Sequence, residues 1–80
     1  MSADTSQLVG YLVRALVDEP DQVTVVESSE GEHLRFEVSV APDDVGKLIG
    51  RQGRIIKAIR TLARAAGATA DSHVDVEILG

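Results

Sequence analysis

Between Gln7 and Val17 the apolar positions are Leu8, Val9, Leu12, Val13, Leu16 and Val17, a spacing that places them on one face of a helix. Ser6 stands where an N-cap belongs, and Pro20, within Asp18-Glu19-Pro20-Asp21, ends the helix because it cannot continue the backbone hydrogen bonding. Val23 to Glu27 is rich in β-branched residues and reads as a strand, and Ser28-Ser29-Glu30-Gly31 has turn chemistry. Leu34, Phe36, Val38 and Val40 then alternate with His33, Arg35, Glu37 and Ser39, which predicts a second strand with one wet face, paired to the first as a hairpin. Ala41-Pro42-Asp43-Asp44 opens a short helix: proline suits its first turn and the two carboxylates suit the positive end of its dipole. That helix carries Val45, Leu48 and Ile49 and stops at Gly50. Another follows Gly53 and runs to Ala66, with Ile55, Ile56, Ile59, Leu62, Ala63 and Ala66 on its apolar side and Gly67 as its stop. Val74, Val76 and Ile78 alternate with Asp75 and Glu77 in a last strand. This αββααβ order predicts an α+β fold, a three-stranded sheet with three helices packed on one face.

The chain has 80 residues, enough for one domain over 1–80, with residues 1–5 expected to form a flexible N-terminus. A domain of this size buries only about 60% of the surface its unfolded chain exposes, so modest stability is expected. With no cysteine, disulfides and thiolate metal sites are excluded. His33 and His73 lack ligand-like spacing, and Asp43-Asp44 is explained as helix-start chemistry before it is a catalytic pair. No nucleophile, base and orienting group assemble, so we expect a non-enzymatic protein without cofactor or small-molecule substrate. The first residues carry no basic and apolar leader, and no apolar run approaches the roughly 18 residues of a membrane span, which together predict a cytoplasmic protein with no membrane partner.

The net charge is -5, at first sight a poor match for a polyanion. The distribution changes that. Residues 1–44 hold ten acids against Arg14 and Arg35, whereas residues 45–70 hold Lys47, Arg51, Arg54, Lys57, Arg60 and Arg64 and no acid. A cationic segment on an acidic body resists indiscriminate polyanion binding yet accepts a phosphate chain at one place. Solvation of a helix surface is the plainer reading of the same bases, and Arg60 and Arg64, which lie farthest from the loop, read as solvated or interfacial.

The loop Gly50-Arg51-Gln52-Gly53 joins the two helices. Gly50 ends one, where positive φ costs glycine least, and Gly53 begins the next, where the missing side chain permits close approach. Backbone amides at a helix start lack intrahelical acceptors and, with the helix dipole, favour an anion. Arg51 sits inside the loop and Lys47, Arg54 and Lys57 within a turn or so of it, so the expected ligand is a phosphodiester backbone. The spacing fits neither the phosphate loop of nucleotide hydrolases nor the dinucleotide-binding fingerprint.

The run from Val45 to Ile59, with Ile49-Gly50-Arg51-Gln52-Gly53 at its centre, resembles the signature of KH domains, and the helix and strand ahead of it resemble the type II arrangement. A single KH domain over the whole chain is similar to the KhpA-type small bacterial RNA-binding proteins. The resemblance implies that Gly50 to Gly53 clamp about four nucleotides of single-stranded RNA. Lys47, Arg51, Arg54 and Lys57 would contact phosphates and Gln52 would add a polar contact or face solvent. Ile49 and Ile55 would contribute to the aliphatic floor beneath the bases, in a set with Val45, Leu48 and Ile56 whose core and groove members the sequence leaves undivided. It further implies an RNA chaperone or post-transcriptional regulator, acting as a homodimer or as a heterodimer with a KhpB/Jag-like protein. The Ala63-Arg64-Ala65-Ala66 stretch suits either close helix contact or packing on the sheet. Two competing functions stand beside this one: a protein-interaction module that keeps the shape, with RNA incidental, and a single-stranded DNA binder.

Overall fold

The computed structural model describes residues 2–67 and 73–79. Its elements are α1 (Ser2–Leu16), β1 (Thr24–Glu30), β2 (His33–Ser39), α2 (Val45–Ile49), α3 (Arg54–Gly67) and β3 (His73–Leu79). Single 3-10 turns occupy Pro20–Gln22, Pro42–Asp44 and Arg51–Gly53. The order is the αββααβ expected from the sequence.

Boundaries move where tertiary contacts outweigh local signals. The first helix begins at Ser2, so Ser6 is not its cap, and the stretch expected to be flexible is helical from Ser2 to Thr5; the same expectation for Met1 lies outside the described residues. Thr5 is fully buried, and a Cβ added to Gly67 would stand 2.9 Å from its Oγ1. Contact with the end of α3 thus holds a turn that polar composition alone does not predict. Ser28, Ser29 and Glu30, expected as a turn, continue β1 opposite Arg35, Leu34 and His33. Gly31, at φ 61°, and Glu32 make the two-residue turn, because such a hairpin needs the positive φ that glycine supplies.

The sheet order is β1-β2-β3. β1 and β2 are antiparallel, with Val25 opposite Val38, and β2 and β3 are parallel, with Phe36 opposite Val76. A parallel pair needs a crossover, which α2 and α3 provide. Phe36, Val38, Val74 and Val76 form the sheet's contribution to the core, against Val9 and Val13 of α1, Leu48 of α2 and Ile56, Ile59 and Ala63 of α3. Leu48, Ile56 and Ala63 are therefore core, Val45 and Ile55 are half-buried against it, and Ile49 remains exposed.

The other sheet face is open to solvent. His33 Nε2 is 2.6 Å from Asp75 Oδ2, Arg35 pairs with Glu77 at 3.5 Å, and the rings of His33 and His73 stack at 6.1 Å. The two histidines, isolated along the chain, meet because the parallel register sets them directly opposite each other.

Candidate functional site

Gly50 leaves α2 at φ 71° and ψ -178°, and its N–H closes the helix on Gly46 O at 2.9 Å. Gly53 has φ 72°, and between the two glycines Gln52 also adopts the left-handed region, at φ 59° and ψ 25°. A non-glycine residue held there marks a loop whose shape is imposed by its surroundings. The 3-10 turn uses the N–H groups of Gly53 and Arg54, which donate to Gly50 O and Arg51 O. The sequence pointed to the first turn of α3 as the source of free amides. The tip residues Arg51 and Gln52 carry N–H groups that take no part in these two turn bonds.

Cationic side chains surround this tip. Arg51, Arg54 and Lys57 are exposed. Arg54 donates across the loop to Gln52 Oε1 at 3.4 Å, and the Lys57 stem lies 4.0 Å from where a Cβ on Gly53 would be. Among the described residues none of the three is paired with a carboxylate. Ile49 and half-buried Ile55 flank the loop on its apolar side.

Lys47 has other commitments. Its ammonium lies 2.9 Å from Asp18 Oδ2 and 3.4 Å from Asp44 Oδ1. Asp44 was expected to serve the dipole of α2, but it makes no side-chain cap. Its buried carboxylate reaches back to the end of α1, where Oδ1 accepts from the N–H of Asp18 at 3.2 Å and Oδ2 from that of Glu19 at 3.1 Å. Those amides follow the last turn of α1 and need acceptors, and a buried carboxylate needs donors, so each satisfies the other. Burial pushes the Asp44 carboxyl upward, yet the two amides and Lys47 outweigh it and hold the group below its ordinary value. Lys47 is raised by its hydrogen bonds to Asp18 and Asp44. This cluster fixes α2, and with it the loop, to the end of α1. Along the chain its only mark is an aspartate before a helix.

Arg60 and Arg64 are also more than solvated. His73 N donates to Glu32 O and Leu79 O accepts from Val40 N, so the odd-numbered residues of β3 face β2 and the even-numbered ones turn their backbone groups to the free edge. Arg60 Nε donates to Val76 O at 3.1 Å and Arg64 Nε to Val74 O at 3.2 Å. Four helical residues span about 6 Å and two strand residues about 6.6 Å, so α3 runs antiparallel along this edge in register. One further step along both elements brings the start of α3, and the loop before it, to Ile78. The loop, the α3 side and the β3 edge therefore form one continuous strip. The concavities lined by Ser28, Ser29, Glu30, His33 and Arg35, and by Asp18, Glu19, Gln22 and Ala41 to Asp44, do not include the loop.

Comparison with known proteins gives a family and a fold. The family described as "KhpA/KhpB, KH domain" matches residues 6–78. The chain is 47% identical over 73 residues to the RNA-binding protein KhpA of Clostridium acetobutylicum, covering 91% of this chain and 97% of that protein. It is 48% identical over 73 residues to the protein of the same name from Caldanaerobacter subterraneus subsp. tengcongensis, with the same coverage. To that of Treponema pallidum it is 45% identical over 74 residues, 91% of each chain. Among solved structures, the crystal structure of Era with MgGDPNP and nucleotides 1506–1542 of 16S ribosomal RNA has a TM-score of 0.64 at 19% identity, over 94% of this chain and 30% of that one. At that identity the likeness concerns the fold alone.

Proposed function

Because the chain belongs to the KhpA/KhpB KH-domain family, we propose that it is a non-enzymatic single-stranded RNA-binding protein that holds the phosphate backbone at Gly50-Arg51-Gln52-Gly53. The observation that carries this reading is the loop tip: N–H groups of Arg51 and Gln52 that take no part in the loop's turn bonds, ringed by Arg51, Arg54 and Lys57, which have no acidic partner among the described residues. Such a tip complements an anion in charge and in hydrogen-bond direction. Ile49 and Ile55 supply an apolar surface beside it for the bases, and Lys47 supports the loop through Asp18 and Asp44 while adding to the local positive field.

The reading extends to association, as a homodimer or with a second KH protein of the KhpB/Jag kind. One module holding about four phosphates gains limited affinity, and a linked second module raises effective concentration. The outer surfaces of α1 and α3 support it, with Tyr11 71% and Leu62 48% exposed and Ala58, Ala65 and Ala66 also open; Ala63 belongs to the core. A role as RNA chaperone or post-transcriptional regulator follows from weak, backbone-directed binding.

Titration of a fluorescein-labelled unstructured RNA octamer at several salt concentrations tests the proposal. A clamp on about four phosphates gives a slope of log K against log salt near -3, at about -0.7 per phosphate. A slope near zero with retained affinity contradicts it. An unlabelled DNA octamer of the same sequence as competitor separates RNA from DNA, because the clamp itself reads only phosphates.

A further inference from the structure

We propose that Arg60 selects the base bound beside β3, favouring a nucleobase with two adjacent hydrogen-bond acceptors, cytosine or guanine, over adenine and uracil. The inference rests on the RNA-binding reading above and concerns sequence choice, which the loop leaves unaddressed.

Arg60 lies on α3 six residues beyond Arg54, about 9 Å along the helix from the loop. It is half-buried where Arg51, Arg54 and Lys57 are exposed. Its Nε is spent on Val76 O at the free edge of β3, which fixes the position and plane of the guanidinium. The two Nη atoms carry four more N–H donors, and none has a partner among the described residues. A planar donor fork is thus held on the strip that continues from the phosphate-binding loop.

That placement favours a base over a phosphate. The phosphate-binding groups are gathered at the loop, and the Arg60 guanidinium lies about 9 Å farther along α3 against the β3 edge, within reach of a base of a strand held at the loop. With Nε occupied, the end-on pair Nη1 and Nη2 remains, and it matches two acceptors side by side in one plane. Guanine presents such a pair at O6 and N7, and cytosine at O2 and N3. Adenine alternates donor and acceptor on either edge, and uracil places its N3–H between two carbonyls, so neither satisfies the fork. Arg64 makes the same bond one rung along, to Val74 O, but its Nη2 is 3.9 Å from Asp75 Oδ1, which offsets its charge. Among the described residues Arg60 has no such carboxylate.

The test compares rC8, r(UG)4, rA8 and rU8 as ligands for the wild type and for Arg60→Lys, Arg60→Gln and Arg64→Lys, with circular dichroism to verify each fold. Wild type should bind rC8, r(UG)4 or both about tenfold more tightly than rA8 and rU8, the discrimination expected of one bidentate contact. The rC8 and r(UG)4 arms then say which base is read. Arg60→Lys keeps the charge but loses the fork, so the preference should fall below about twofold while rU8 affinity and the salt slope stay the same. Arg64→Lys should retain the preference; losing it would assign the effect to the strand edge and overturn the proposal. If Arg60→Gln weakens all four ligands alike and reduces the salt slope by about 0.7, Arg60 holds a phosphate and the proposal is wrong. If the Arg60 variants fail to fold, the wild-type side-chain 15N resonances of Arg60 decide: they should shift with rC8 or r(UG)4 and not with rU8, and no shift refutes the reading. A wild type that binds none of the four defeats the function proposed above, whereas equal binding of all four defeats only the role of Arg60.

Discussion

Gly50 packs so closely against Ile55 that a Cβ on it would stand 2.6 Å from Ile55 Cγ1 and 2.9 Å from Cδ1. Its φ of 71° would add backbone strain to that collision. Gly53 has almost the same φ, 72°, but its nearest neighbour would be Ile56 Cγ2 at 3.9 Å. The two glycines are therefore required for different reasons, one by space and conformation and the other by conformation alone.

Alanine substitution should expose this difference. Gly53→Ala should cost about 1–2 kcal/mol, the penalty of a left-handed backbone for a side-chain-bearing residue. Gly50→Ala should cost more, because Ile55 must also move. Urea denaturation of both variants measures the order, and equal losses would show that Ile55 does not press on Gly50.

The Asp44 cluster predicts a pH dependence with a definite sign. The carboxyl is held below its ordinary value of 3.8, so its interactions contribute fully above that pH and are lost as pH falls through the lower folded value. Lys47 is held above its ordinary 10.5, so its contribution is full below that pH and fades as pH rises past it. Asp44→Asn should lower stability at neutral pH and flatten the acid limb between pH 4 and the acid transition. Thermal melts across that range check it, and parallel curves for wild type and variant would refute the role of Asp44.

Burial distinguishes two residues of β2. Phe36 is fully buried at the centre of the core, and Phe36→Ala should cost about 3–5 kcal/mol, a large share of the stability of so small a domain. His33, bonded to Asp75 on the open face with both side chains more than two-fifths exposed, should cost less than about 1 kcal/mol when replaced by Ala. Denaturant midpoints for the two variants make the comparison.

Local signals made the fold and the loop legible. The period-2 alternation from His33 to Val40 marks β2 and its wet face, and two glycines around a basic tip mark a chain reversal built for positive φ. What the sequence concealed depends on partners far along the chain. Asp44 looked like a helix-start residue because its acceptors' donors, the amides of Asp18 and Glu19, lie 26 and 25 residues earlier. His33 and Asp75 are 42 residues apart and meet only through the parallel register of β2 and β3. Arg60 and Arg64 looked like a solvated stripe because the carbonyls that hold them belong to a strand edge whose exposure no periodicity reveals. In the Ala63-Arg64-Ala65-Ala66 stretch, Ala63 is in the core while Ala65 and Ala66 are exposed, a division set by which face of α3 packs inward.

If the tip of the Gly50 to Gly53 loop holds the RNA backbone, reversing the charge at the tip removes binding. Arg51→Asp combined with Gln52→Asp should leave the circular dichroism spectrum unchanged, since both side chains are exposed. Fluorescence anisotropy with the RNA octamer at low salt should then show binding abolished, as two carboxylates meet the phosphate. A folded double variant that binds the octamer as wild type does would show that the tip does not hold the backbone.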